Sequence, residues 1–598
     1  MTDSLLNTSF ASTTDSGNLR FSGLSSNIDW QSTVDAIMQA KRIPATQIED
    51  KIAVNDTKLT AYSDLTLIAD NLKTSLDQLR GGVSFFAEDV FDTKQAFTTS
   101  TAAAGAPGGY TPVAADSLVG VLAGDDATVG THRLTIHQLA QSHQMRSDAF
   151  ADTNATALSA QGFTIGTFTM NGESITIDAD DTLADMQDKI NSSNAGVNAS
   201  IVSVSPTEHY LVMTAEDTGT ANAIDFAGGN ATTDSFGFTD GVGGIKTELT
   251  AAQDAIIDVD GITGITRSSN AIDDVLEGIT LDLFGAEPNT EINIEIEQNL
   301  NEIQGAVQGF VDAYNLMKEF IIDQRTQRVR SDAEGAESEF GALAFDSTLR
   351  SIDRELGEMI NTVIPGAASG YETLGQIGIE IGGNFMLEID QDKFNDALVN
   401  NTDGVRKIFA FDATTSDSRV SVVGFDQSTQ PNVDGSGNLQ PYYLDIAGTD
   451  ASGNVIQAAI STTAGGGVIG DGSATQSSQV ITATDNTSAN GLQLFFNGDP
   501  SLGPINDIEV TFTRGVADQL YGYLEDITAL DGQLRTDVTT LEEQNVDYQD
   551  RIAQIDERLE VQRNSLTQQF ISMETALAQL NQLRDQLTQQ LGALNGDS

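Results

Sequence analysis

Several groups of residues in this sequence have types and spacings that could carry chemistry. Gly465, Gly467 and Gly470 satisfy the G-x-G-x-x-G pattern of a dinucleotide-binding turn. Such a turn must open a helix whose N-terminus faces the phosphates, and Asp471 to Gln479 holds no apolar-periodic helix, so a glycine loop is the reading. His132, His137 and His143 sit close enough to raise a metal site. The odd separation of the first two places them on opposite faces of a strand, with no HxxxH pair or acidic ligand set beside them. Asp434 to Asn438 (DGSGN) and Asp258 to Gly261 (DVDG) look like pieces of calcium loops but lack the full spacing and the terminal Glu, and turns account for both. Arg325, Arg328 and Arg330 cluster behind a helix, where the C-terminal dipole favours cations. Among 87 carboxylates no acid/base pair stands out, and no serine has a nucleophile-elbow context. No catalysis, cofactor or metal is expected.

Composition narrows the classes further. The 29 basic and 87 acidic residues give a net charge of −58, which argues against nucleic acid and anionic membrane surfaces as partners. No lysine follows Lys407, a pattern that suits a solvated surface in salty water. The absence of cysteine excludes disulfides, thiol catalysis and thiolate metal sites. No apolar run is long enough to span a membrane, and the start MTDSLLNTSFASTTDSGNLR lacks the regions of a cleavable signal peptide. Its Ser and Thr content predicts disorder. At 598 residues, several domains are required.

The elements that must organise such a chain are amphipathic helices. From Leu534, apolar residues step by four and three through Val538, Leu541, Asn545, Tyr548, Ile552, Ile555, Leu559, Gln562 and Leu566, a heptad seam with two polar positions. A second step of four leads to Phe570, and Met573, Leu577, Leu580, Leu587, Leu591 and Leu594 carry the stripe on, with Arg584 in a seam position. The skip predicts local unwinding. So narrow a stripe needs a partner helix. Near the other end, Asn27 to Gln39 reads as a first helix, Pro44 as its interruption, and Ala45 to Leu79 as a second helix ended by Gly81-Gly82. A third seam runs through Ile303, Val307, Phe310, Tyr314, Met317 and Ile321. Alternating segments such as 174–177, 200–204, 210–213, 255–259, 279–283 and 292–296 read as strands, and a second strand-rich block covers 411–515.

Short stretches tie this pattern to a family. Phe21 to Trp30 (FSGLSSNIDW) and Ala40 to Ala45 (AKRIPA) resemble the start of the flagellar filament cap family, hook-associated protein 2. Gly130 to Gln141 is similar to that family's strand before its head. Asn171-Gly172 with Ile175, Ile177, Leu183, Ile190 and Val197 looks like the hook IN motif shared with flagellins. Arg267 to Leu281, Phe310 to Asn315, and Arg558 to Leu591 resemble the family's C-terminal half, whereas 411–515 departs from the pattern. The resemblance implies a ring-forming homo-oligomer, pentamer-like, at the extracellular tip of the flagellum, with no enzyme chemistry. It implies flagellin, hook-filament junction proteins and an export chaperone at the C-terminal helix as partners, and flagellar type III export.

The expected fold is α+β and multidomain: a discontinuous helical coiled-coil stem from both chain ends, with inserted β-rich heads. The segments are an export segment and docking helix at 1–44, a stem helix at 45–95, a β head at 96–298 with the IN motif at about 163–224, and a helical and α/β region at 299–410. An inserted β block at 411–515 and a terminal coiled coil at 516–598 complete them. Candidate contacts to sister subunits or flagellin are Ile28, Trp30, Val34, Ile37, Leu566, Phe570, Met573, Leu577, Leu580 and Leu587, with burial inside the same chain as the competing role. A flagellin or junction protein, and a secreted acidic adhesin or carbohydrate-active protein, are the alternatives.

Overall fold

The computed structural model describes residues 11–13, 19–21, 29–81, 89–326, 328–329, 338–383, 385–426, 428–468, 473–484, 488–498 and 504–595. Two compact units emerge, one of Met1–Glu88 with Ala306–Ser598 and the other of Asp89–Gly305. The helices are α1 (Trp30–Asp77), α2 (Leu183–Asn191), α3 (Ala231–Phe236), α4 (Leu300–Arg325), α5 (Ser347–Ile360), α6 (Gln391–Asn400), α7 (Thr402–Phe409), α8 (Val516–Thr528) and α9 (Gln533–Asn595). They accompany several antiparallel sheets, so the chain is α+β. The opening stretch falls largely outside the described residues; within it Ala11–Thr13 pairs with Leu19–Phe21.

The N-terminal helix differs from the sequence expectation. Asp29 caps it by accepting from the Gln31 and Ser32 amides, and it runs unbroken through Pro44 to Asp77. Proline there withholds one donor from the carbonyl of Ala40, a local loss of one bond. Packing on either side outweighs it: Val34, Ala45 and Asn55 are buried. The helix also stops short of Gly81, which takes a left-handed φ of 78°.

The third predicted seam matches α4, where Ile303, Val307, Phe310, Tyr314, Met317 and Ile321 are all buried. Asn315 of this helix donates to the Leu387 carbonyl and accepts from the Leu387 amide, so a short hairpin strand is hung on it.

In the unit Asp89–Gly305, a five-stranded sheet runs Ile262–Arg267, Ala255–Val259, Gly130–Gln138, Thr290–Gln298, Lys94–Ala102. It shares a core of Leu134, Ile136, Ile257, Leu281, Ile292 and Ile294 with the three strands Ala271–Leu276, Ile279–Leu283 and Val119–Ala123. A separate four-stranded sheet and α2 close over Phe150, Phe168, Phe236, Phe238 and Met213. Two-residue turns fix registers here. Asn171-Gly172 and Asp260-Gly261 both have positive φ, the I′ geometry that joins strands twisting right-handedly. The DVDG segment is thus a hairpin turn. His132 and His137 each lie 2.8 Å from a different carboxylate, Asp260 and Asp258. Among the described residues no group of His, Asp and Glu could hold a metal ion.

Residues Phe411 to Arg514 form two four-stranded antiparallel sheets around one core that includes Tyr442, Leu444, Leu494, Phe496 and Phe512. DGSGN at Asp434 and DASGN at Asp450 are matching turns, each aspartate accepting from the amides two and four residues on. Gly465 and Gly467 lie beyond the strand Val455–Ser461, and Gly470 lies outside the described residues.

Carboxylates used this way titrate low. The Arg419 side chain holds Asp417 at about 2, and the asparagine and amide donors of each turn depress Asp434 and Asp450. A carboxyl group whose folded pKa lies below its unfolded value adds stability above the unfolded value, and that stability is lost as pH falls through the folded one. The fold should therefore hold from neutral pH to about 4 and lose stability between about 4 and 2. Far-UV circular dichroism during acid titration checks this; a loss that sets in above pH 6 contradicts it.

Candidate assembly surface along the paired chain ends

The two ends of the unit Met1–Glu88 with Ala306–Ser598 meet along α1 and α9. The Trp30 ring stacks on Phe570 at 4.4 Å between centroids, and its Nε1 donates to Glu574 Oε1 at 2.6 Å. Arg563 reaches Asp35 at 2.5 Å, and Arg42 reaches both Asp556 at 2.9 Å and Glu49 at 2.7 Å. The Lys51 ammonium lies 5.8 Å from the centre of the Tyr548 ring. Tyr62 donates to Asp346 at 2.8 Å and, more loosely, to Asp537 at 3.4 Å. As the α1 number rises its α9 partner's number falls, so the helices run antiparallel in one register from Trp30 to Tyr62.

Two polar groups sit inside this seam. Asn55 Nδ2 donates to Asn545 Oδ1 at 2.9 Å, and Asn545 Nδ2 donates to Asp56 at 2.8 Å. Both asparagines are buried, and a shift of the helices by one turn would strand each amide against apolar neighbours. Burial, then the hydrogen bond to Asp346, drives the Tyr62 hydroxyl above its ordinary range, so it stays a donor. Asp346 also caps α5, and Thr348 beside it donates to Asp537 at 2.6 Å, which fastens α5 to the pair.

The far end of α1 is held by a buried ionic cluster that no sequence spacing announces. Asp518 of α8 has no exposed surface and accepts from Arg514 at 2.5 Å and Arg80 at 3.3 Å. The Arg80 guanidinium lies over the Tyr521 ring, 3.8 Å from its centroid, and the Arg80 carbonyl accepts from the Phe411 amide at 2.8 Å. Arg514 also donates to the Thr429 carbonyl at 3.2 Å. One carboxylate thereby joins α1, α8 and the sheets of Phe411 to Arg514.

The sequence-predicted contact residues divide at the Trp30 clasp. Val34 is buried, and Trp30, Ile37, Leu566, Phe570 and Leu577 are half-buried; Ile28 lies outside the described residues. Met573 is 37% exposed, Leu580 61% and Leu587 51%. Leu583 and Leu591, 56% and 60% exposed, belong to the same surface. Leu583 was missed because the heptad count lands on Arg584; steps of three, four and four from Leu580 would have found it. The α9 helix continues past Glu574 to Asn595, roughly 30 Å beyond the start of α1.

Comparison with known proteins gives this arrangement a context. The family model for the flagellar hook-associated protein 2 C-terminus matches residues 252–582, and that for its N-terminus matches 26–143. The chain belongs to the flagellar hook-associated protein 2 family. The flagellin hook IN motif matches 163–217, around α2 and its sheet. Flagellar hook-associated protein 2 of Escherichia coli K12 is 30% identical over 400 residues, 65% of this chain and 80% of that protein. The lateral flagellar hook-associated protein 2 of Vibrio parahaemolyticus is 30% identical over 308 residues, 49% of this chain and 66% of its own. The crystal structure of the flagellar cap protein FliD D1-D2-D3 domains from Escherichia coli is 28% identical, covers 58% of this chain and 90% of its own, and has a TM-score of 0.45.

The geometry of this hook-associated protein 2 member yields two expectations. Asn55→Ala leaves the Asn545 carbonyl without its donor and should cost about 1–3 kcal/mol in urea unfolding. The double variant Asn55→Leu, Asn545→Leu should restore or raise stability while letting the helices slip, seen as a second distance between spin labels on α1 and α9. At the other end, Asp518→Ala leaves two guanidinium groups without their carboxylate. It should cost about 3–5 kcal/mol, more than any exposed ion pair of the helix seam.

Proposed function

We propose that this chain caps the distal end of the bacterial flagellar filament, outside the cell, as a ring-forming homo-oligomer that promotes folding and insertion of exported flagellin. Family membership supports the cap role. The observation that carries the mechanism is the change in α9 at the clasp: a seam covered by α1 up to Phe570 continues as the exposed leucines 580, 583, 587 and 591. In this reading the paired helices are a coiled-coil stem, and the exposed stripe docks on flagellin or a sister subunit.

Magnitudes suit that use. Covering a leucine fully contributes about 1.5–3 kcal/mol, and these four are already partly covered. After the cost of association, the docking is modest and exchangeable, as a cap that shifts with each added subunit requires. Hook-filament junction proteins are the partners expected below the cap, and an export chaperone would cover the same apolar stripe before flagellar type III export. Among the described residues no helix is long and apolar enough to cross a membrane.

Replacing Leu580 and Leu587 by serine should leave the melting temperature within about 2 °C of the parent, because both side chains are exposed. The same variant should abolish filament growth in a strain lacking the native gene, with monomeric flagellin released into the medium. Filaments of normal length would refute the reading.

A further inference from the structure

The loop between α4 and α5 presents an aromatic pair with no covering element among the described residues. Phe340 and Phe345 are 45% and 79% exposed and meet edge to face, with centroids 5.3 Å apart. The segment from Phe340 to Asp346 is firmly held. Leu343 is fully buried, its amide donates to Gln324 Oε1 at 3.1 Å, and the Gly341 amide donates to the Gln324 carbonyl at 3.0 Å. A Cβ on Gly341 would fall 2.6 Å from Gln324 Cα, so the loop lies tight against α4. Asp346 closes it, donating its amide to the Leu343 carbonyl at 3.0 Å and capping α5.

A cation from the first turn of α5 reaches the same loop. Arg350 donates Nε to the Asp346 carbonyl at 3.2 Å, one residue from Phe345, and makes no ion pair among the described residues. Two exposed phenylalanines on an anchored segment, followed by a guanidinium with no ion pair among the described residues, have the composition of a binding hot spot. Internal packing does not explain them, since the loop is already anchored by Leu343.

We propose that Phe340, Phe345 and Arg350 form a knob that docks on the acidic surface of a second copy of this chain. Charge decides the occupant. At −58, two copies repel over most of their surfaces, and contact is favoured where one offers apolar rings with a cation and the other offers carboxylates. The proposal rests on the homo-oligomer of the cap reading and names a contact within it.

The test uses the full chain. The variant Phe340→Ser, Phe345→Ser should keep the melting curve of the parent, because both side chains project from the anchored loop. Its self-association, followed by analytical ultracentrifugation, should be at least tenfold weaker. Arg350→Glu should also weaken association, more at low salt than at high salt. A photo-cross-linking residue in place of Phe345 should join two copies of the chain. Unchanged association of the double variant, cross-links to flagellin instead, or a parent chain that stays monomeric would each overturn the docking. Filament growth separates this from the cap reading. A monomeric chain that restores filaments sinks only the knob, and a chain joined through Phe345 that fails to restore them sinks only the cap.

Discussion

Everything in the unit that carries both chain ends depends on α1 and α9 lying antiparallel in one register. Apolar stripes alone would tolerate a slip of a turn, because leucine meets leucine almost as well one turn along. The Asn55–Asn545 pair removes that freedom, since each buried amide finds its partner in one alignment only. The aromatic clasp at Trp30 and the Tyr62–Asp346 bond then follow from the same alignment. The stability given up by burying polar groups in the seam is exchanged for a defined end to the pairing, and that end fixes where α9 becomes exposed.

The sequence was most legible where periodicity is enforced by burial on one face. The α4 seam and the strands at 255–259 and 279–283 were found at their observed positions because each alternates or steps against a continuous core. Pro44 does not end the helix because α9 packs along the helix on both sides of it: Val34, Ala45 and Asn55 are all buried, and a break at the proline would uncover that face. The skip near Phe570 does not divide covered from exposed helix. The seam remains covered through the skip, and Phe570 is itself the stacking partner of Trp30. Cover ends because α1 ends, not because the pattern in α9 changes.

The ionic cluster at Asp518 was invisible for a different reason. Arg80 and Asp518 are 438 residues apart, and nothing about an arginine after a helix or an aspartate at the start of one marks them as partners. Its consequence is a firm junction: the sheets of Phe411 to Arg514 are fastened to the helices by this cluster, by the Phe411 amide on the Arg80 carbonyl, and by Asp412, which pairs with Arg406 and Lys407 of α7.

Acidity places the remaining limit on how such a molecule can associate. With 29 cations against 87 carboxylates, most basic side chains are drawn into the chain's own ion pairs, as Arg42, Arg563, Arg514 and Lys189 are. Unlike the buried Arg514–Asp518 pair, exposed pairs such as Arg42–Asp556 and Arg563–Asp35 contribute little to stability. They do cancel local charge along the helix seam, where like charges would otherwise force α1 and α9 apart. Surfaces left without such cancellation repel a second acidic molecule. Any association between copies would fall where apolar side chains reach solvent, as they do at the far end of α9 and at Phe340 and Phe345 before α5.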